Sequence, residues 1–305
     1  MQDVIALRCN YLLDKNWESE KIFELSIKFT EGIVGISDFT LEDTRAYFPH
    51  LFEKRNIPVK RIYHASSRES KIENEDLPFA SFCLIFGNSF KHKMLSETVS
   101  NIKDTKTNFI ILGAKETGKI EKNIFGYKSG NLSNSFINEL LEKCTCIIFP
   151  SVYEGFGLVN LYARDFNKKI IVNDNQLNRE LFKNCIPDYE GNVFMFKKLS
   201  EIPTLIHKIN ELAEVSENCS QNIRKTSDVA KDTEEFLRKI LLTPVNIELL
   251  RERWSYFKYL ESVHRCYIPQ NQNSITFRNF VVCCVKKHPL VYKILKKAKN
   301  ALIGE

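Results

Sequence analysis

Short apolar runs alternate with stretches of helical period from about residue 32 to residue 241. Segments 32–36, 59–63, 82–86, 109–112, 144–149, 169–173 and 193–196 are β-branched or apolar and are bounded by polar or turn residues, which predicts buried strands. Helical patterns lie between them. The segment 133–143 opens on Ser133, a residue type that caps helix N-termini, and sets Phe136, Ile137, Leu140 and Leu141 on one face, as a helix packed on a sheet requires. Strand and helix in repeated alternation predict an α/β fold with a Rossmann-like parallel sheet and ligands at the carboxyl ends of its strands. Residues 69–78, "ESKIENEDLP", are polar and acidic and read as a linker. The organisation expected is therefore an N-terminal piece over 1–68, a Rossmann-like domain over 79–241, and a helical, aromatic and basic tail over 244–305.

Composition adds limits. A chain of 305 residues with 43% hydrophobic positions can bury a full core and has room for about two domains. Apolar runs such as 280–285 fall far short of the ~20 residues of a membrane span, and the first residues lack the basic-then-apolar order of a signal peptide. The nine cysteines show no disulfide framework and no zinc spacing, and Cys144 and Cys146 alternate onto one strand face as core residues, which points to a reduced, cytoplasmic location. The net charge of +6 sits entirely in the tail: from residue 244 onward there are eleven Lys and Arg against four Asp and Glu, and before it 33 against 34. The body thus carries no electrostatic footprint for nucleic acid.

Two loops carry candidate chemistry. In "CLIFGNSFKHKML" a strand ends at Gly87, where a ligand can approach the backbone, and Lys93 can swing its ammonium toward a phosphate; an ordinary βα turn with solvated lysines has the same pattern. In "CTCIIFPSVYEGFGL" a strand ends at Pro150, and the loop offers Glu154 and the amides of Gly155, Phe156, Gly157 and Leu158 where a helix begins. Those N–H groups suit a diphosphate, and the carboxylate can accept hydrogen bonds from sugar hydroxyls.

The succession "GIVGISDFT…NIPVKRIYH", "LIFGNSFKHKML", "NFIILG", "GNLSNSFINELLEKCTCIIFPSVYEGFGL" and "KIIVND" resembles the group 1 (family 4) retaining glycosyltransferases, enzymes of two-domain GT-B architecture. The resemblance spans about residues 32–241. It implies a nucleotide-sugar donor held by the C-terminal Rossmann-like domain without a metal or other cofactor, and a glycan or lipid-linked acceptor. Surface polysaccharide synthesis is the setting it suggests. Carried over by position, Lys93 binds the donor diphosphate with Asn88 beside it where many members have arginine, and Glu154 is the catalytic candidate contacting the donor sugar. Phe156, Gly157 and Leu158 hold phosphate and sugar, and the turn from Gly130 to Leu132 supports the base.

The chain departs from the family pattern at Tyr162, where a second carboxylate grips the ribose, at Asn167 in place of glycine, and at Lys169 in place of proline. A phenol cannot accept bidentately as a carboxylate does, whereas asparagine tolerates positive φ. Only about thirty residues precede "GIVGISDFT", so the N-terminal GT-B domain is expected to be shortened or missing, or supplied by a partner chain. A catalytically inactive glycosyltransferase-like subunit is the alternative reading. His64 is expected near the cleft or packed against the linker. In the tail, Leu290, Val291, Ile294, Leu295, Ala298, Ala301 and Leu302 form an apolar arc opposite Lys293, Lys296, Lys297 and Lys299, which suits either an anionic membrane surface or packing on the body.

Overall fold

The computed structural model describes residues 1–9, 11, 16–65, 75–130, 132–212 and 224–267. Residues Met1–Thr243 form one compact unit, and a second begins at Pro244. The strands of the first unit are β1 (Ile33–Gly35), β2 (Val59–Arg61), β3 (Cys83–Phe86), β4 (Phe109–Ala114), β5 (Gly118–Glu121), β6 (Ile124–Lys128), β7 (Cys146–Phe149), β8 (Lys169–Asn173) and β9 (Val193–Phe196). Its helices are α1 (Ile5–Arg8), α2 (Asn16–Lys28), α3 (Asp38–Tyr47), α4 (Pro49–Lys54), α5 (Leu95–Ile102), α6 (Asn134–Lys143), α7 (Val159–Asp165), α8 (Gln176–Glu180), α9 (Ile202–Glu211) and α10 (Thr226–Leu241). In the second unit, α11 runs over Ile247–Tyr267. The tail segment 290–302 lies outside the described residues.

The main sheet has seven strands in the order β5-β6-β4-β3-β7-β8-β9. All neighbours pair parallel except the β5–β6 edge hairpin. From β3 the chain moves outward through β4 to β6, then returns to the other side of β3 for β7, β8 and β9. That reversal places a crevice at the carboxyl ends of β3 and β7, the position where open α/β sheets take ligands. The central strands are buried on both faces, as parallel strands covered by helices must be, with Cys83, Leu84 and Ile85 facing Cys146, Ile147 and Ile148 across the pair. The thiols of Cys83 and Cys146 lie 3.3 Å apart inside this layer.

The predicted strands are all present. The hairpin of β5 and β6 was not expected from the sequence, because β5 is a polar, exposed edge and β6 has Gly126 at its centre, so neither shows a clear period. Its turn is held by Asn123, whose side-chain amide donates to the carbonyls of Thr105 and Thr107 at 3.0 and 2.9 Å. Ser133 caps α6 as predicted, its hydroxyl accepting the Phe136 N–H at 3.0 Å.

The described N-terminal residues before β3 build a small layer of their own, in which β1 and β2 pair parallel and Val4, Leu7, Ile27, Ile33, Leu41 and Phe48 form a separate core. Helix α3 docks this layer on the sheet. Glu180, at the end of α8, accepts the Asp38 and Phe39 N–H groups at 2.7 and 2.8 Å and the Tyr63 hydroxyl at 2.9 Å. A carboxylate at a helix N-terminus satisfies amides that have no intrahelical partner.

At the far end of α7, Asn167 takes φ 51°, the left-handed conformation that asparagine tolerates. Its N–H donates to Arg164 at 3.0 Å and that of Lys168 to Ala163 at 2.8 Å, the bond pair of a Schellman C-cap. The turn into β8 therefore forms without glycine. Replacing Asn167 by Ala should lower the stability measured by urea unfolding by about 1 kcal/mol, whereas Asn167→Gly should leave it within a few tenths.

Candidate functional site

A cavity of ≈ 430 Å³ opens at the carboxyl ends of β3 and β7. From the sheet domain it is lined by Phe86, Gly87, Asn88, Lys93, Phe149 and the run Glu154 to Val159; the N-terminal layer adds Gln2, Asp3 and Ile36, and His64 completes the wall. The structure thus brings together Gly87, Asn88, Lys93, Glu154, Gly155, Phe156, Gly157 and Leu158 from the two loops that the sequence singled out. Gly130, Leu132 and Tyr162 do not line it. Gly130 stands at the end of β6 with φ 83°, and Leu132 packs on the core.

The two loops are sewn together by backbone bonds. The His92 carbonyl accepts the Val152 N–H at 2.9 Å and also lies 3.3 Å from the buried Ser151 hydroxyl. Asn88 closes its own turn, its side-chain oxygen accepting the Phe90 N–H at 2.9 Å. With the loops so fixed, Lys93 Nζ donates to Glu154 Oε1 across the cavity. The two side chains keep 17% and 18% of their exposure, so the pair is shielded and yet open to a ligand.

The backbone of the Glu154 loop presents donors. Among the described residues, no hydrogen bond occupies the N–H groups of Phe156, Gly157 or Leu158. Gly157 adopts φ 75°, and the left-handed turn gathers successive N–H groups into a concavity of the kind that binds anions. Gly155 is required for a different reason: a Cβ there would stand 2.0 Å from the Gln2 carbonyl oxygen, so only hydrogen fits between loop and N-terminal layer. A cation, a carboxylate and a loop with three unoccupied backbone donors therefore line one volume. The set can hold a diphosphate and orient a polyhydroxylated group beside it.

His64 lines the cavity with its ring edge on to Phe156 at 5.0 Å, and burial lowers its pKa. Tyr162 neighbours the wall residue Phe86 without itself lining the cavity. Its ring lies 6.4 Å from that of Phe86 and packs against the sheet core, and burial raises the phenol's pKa. Sequence reasoning missed Ser37, Thr40 and Asp43, which hold the Glu154 loop from outside, and Glu180, which holds the start of α3. The Tyr153 hydroxyl donates to Asp43 at 2.6 Å, and burial together with this carboxylate keeps the phenol protonated far above its usual range. The only local signal for these residues is Ser37 as an N-cap; the partners are more than 100 positions away.

The chain belongs to the group 1 glycosyltransferases: the family model described as "Glycosyl transferases group 1" matches residues 68–226, just over half of its length. No curated protein sequence matches it. Sucrose-phosphate synthase from Thermosynechococcus elongatus superposes with a TM-score of 0.56 at 10% identity, covering 77% of this chain and 66% of that one. HepE from Anabaena, solved in complex with UDP and glucose, gives a TM-score of 0.54 at 13% identity, over 75% of this chain and 68% of that one. The fold is that of the GT-B glycosyltransferases, and this chain spans about two thirds of the length of these two.

The Lys93–Glu154 pair is open to a double-mutant cycle. Lys93→Met and Glu154→Gln should each destabilise the protein in urea unfolding, and the double variant should recover part of the loss. The coupling expected for a shielded pair is about 1–3 kcal/mol.

Proposed function

We propose that this chain acts in transferring a sugar from a nucleotide-sugar donor to a glycan or lipid-linked acceptor, with retention at the anomeric carbon and without a metal. The observation that carries this reading is the convergence of Lys93, Glu154 and the unfilled amides of Phe156, Gly157 and Leu158 on one cavity at the sheet's reversal point. In the donor complex, the diphosphate takes the ammonium of Lys93 and the loop amides. Glu154, released from Lys93, accepts from sugar hydroxyls. The bond broken joins the anomeric carbon to the diphosphate, and the bond formed joins that carbon to an acceptor hydroxyl, whose proton leaves with the diphosphate. Preorganised donors aimed at the departing diphosphate lower the barrier because they need no rearrangement as charge develops there.

A second reading has its own observation. Tyr162, which stands where the resemblance implies a ribose-gripping carboxylate, packs beside Phe86 and does not itself line the cavity. A chain that binds a nucleotide weakly, or serves as an inactive subunit beside a partner chain supplying the rest of a GT-B cleft, fits that arrangement. Calorimetry separates the readings. UDP, GDP, ADP and their glucose conjugates form the panel, with UDP and glucose chosen because HepE was solved with both. At least one should bind, and Lys93→Ala should weaken it by about 1.5–3 kcal/mol, the scale of a charged hydrogen bond. Silence from the whole panel at millimolar concentration would favour the inactive subunit.

The location proposed is the cytoplasmic face of a membrane, reached through the basic tail. Each of Lys286, Lys287, Lys293, Lys296, Lys297 and Lys299 should contribute about 1 kcal/mol near an anionic surface. The full chain should co-sediment with vesicles containing phosphatidylserine but not with neutral ones, and should be released as salt is raised. Deleting residues 286–305 should abolish most of this binding; a deletion that leaves it intact would remove the tail from the proposal.

A further inference from the structure

The peptide between Gly155 and Phe156 is held from behind. Ser37 Oγ–H donates to the Gly155 carbonyl at 2.7 Å, and Thr40 Oγ1 lies 3.0 Å from the same oxygen and 3.3 Å from the Gln2 carbonyl. Ser37 Oγ in turn accepts the Thr40 N–H at 3.0 Å, so one hydroxyl caps α3 and grips the loop at once. Both residues are fully buried, and the bonds cross 118 and 115 positions of sequence.

A trans peptide sets its C=O and its N–H on opposite sides of one rigid plane. Anchoring the Gly155 oxygen on α3 therefore aims the Phe156 N–H away from α3, toward the cavity that Phe156 lines. No side chain on Gly155 restrains the peptide, so the hydrogen bonds to its oxygen set which way it faces. Rotation would turn a carbonyl oxygen toward the volume in which an anion is to sit and set it against Lys93 and the remaining amides. Water cannot restrain the peptide instead, since the hydroxyls that hold it are buried.

We infer that Ser37 and Thr40 are positioning residues of the N-terminal layer that fix the Gly155–Phe156 peptide, so that its N–H receives the diphosphate of the donor. The inference rests on the nucleotide-sugar reading above and deepens it: the short N-terminal layer completes the phosphate-binding wall of the sheet domain through two hydroxyls that never touch the ligand. Discrimination between a diphosphate and a bare nucleoside thereby depends on the docking of α3.

Thr40→Val keeps the shape and the Ser37 cap while removing one hydroxyl; Ser37→Ala/Thr40→Val removes both, and Thr40→Ser restores a donor. With UDP, GDP and ADP as probes, the double variant should lose roughly five- to tenfold in affinity, the scale of one or two hydrogen bonds. Affinity for the matching nucleoside should stay constant, and Thr40→Ser should bind like the wild type. The carbonyl carbon shift of Gly155 and the amide shift of Phe156, read by NMR, should move in the ligand-free double variant. If those shifts are unchanged, or if diphosphate affinity is the same in wild type and double variant, the inference is overturned while the proposed function stands. If the wild type binds no diphosphate at all, both fall together. Should the double variant fail to fold, Thr40→Val and Thr40→Ser carry the same comparison with a loss of about threefold against none.

Discussion

The parallel pairing of β3 with β7 is the constraint on which the rest of this molecule depends. Because the chain leaves β3 in one direction and returns to its other side, the loops after these two strands diverge and leave a crevice between them. Neither loop would make a site alone. One brings an ammonium on a short turn, and the other brings a carboxylate and a row of amides. Only the register of Cys83 with Cys146 and Ile85 with Ile148 sets them at the same height. The bonds from Ser151 and Val152 to the His92 carbonyl then convert proximity into fixed geometry.

The N-terminal layer is tied to this crevice from three directions. Glu180 holds the start of α3, Asp43 holds Tyr153, and the hydroxyls of Ser37 and Thr40 hold Gly155. The bonds to Gly155 are buried, so either partner left alone there would carry a desolvation cost of about 1–3 kcal/mol, and the bonds of Glu180 and Asp43 are part-buried. They work as a set: moving α3 outward breaks all of them together.

How much of this was legible in the sequence follows from the range over which each residue acts. Strand 144–149 and the helix after Ser133 announce themselves locally, through apolar period and a cap. The helix formed where it was expected, whereas the strand begins at Cys146, because Cys144 ends α6 as its C-cap and packs in a different core cluster from Cys146 instead of sharing its strand face. The residues Lys93, Glu154 and the glycines of their loop were also legible, because a strand end followed by glycine and charge is a local pattern. The β5–β6 hairpin was not: its edge strand is polar and its inner strand is interrupted by Gly126, so pairing with β4 and the bonds of Asn123 at its turn stabilise it. Glu180, Asp43, Ser37 and Thr40 were invisible for another reason. Each is an ordinary polar residue until the fold brings it to a partner far away in sequence. Tyr162 was noticed as a departure, but its place beside Phe86 and the core is set by neighbours that no single position encodes.

The buried thiol pair inside the sheet offers a way to time the molecule. Cys83 and Cys146 sit at the centre of the two strands that define the crevice, without contact with solvent, and Cys144 is equally enclosed. An alkylating reagent in solution can reach them only when β3 and β7 part, an event close to complete unfolding. Among the described cysteines, Cys9 and Cys185 are partly accessible and would be modified before these three. The ratio of slow to fast labelling is thus an internal clock, in which the lag between outer and inner thiols measures how long the central sheet stays shut.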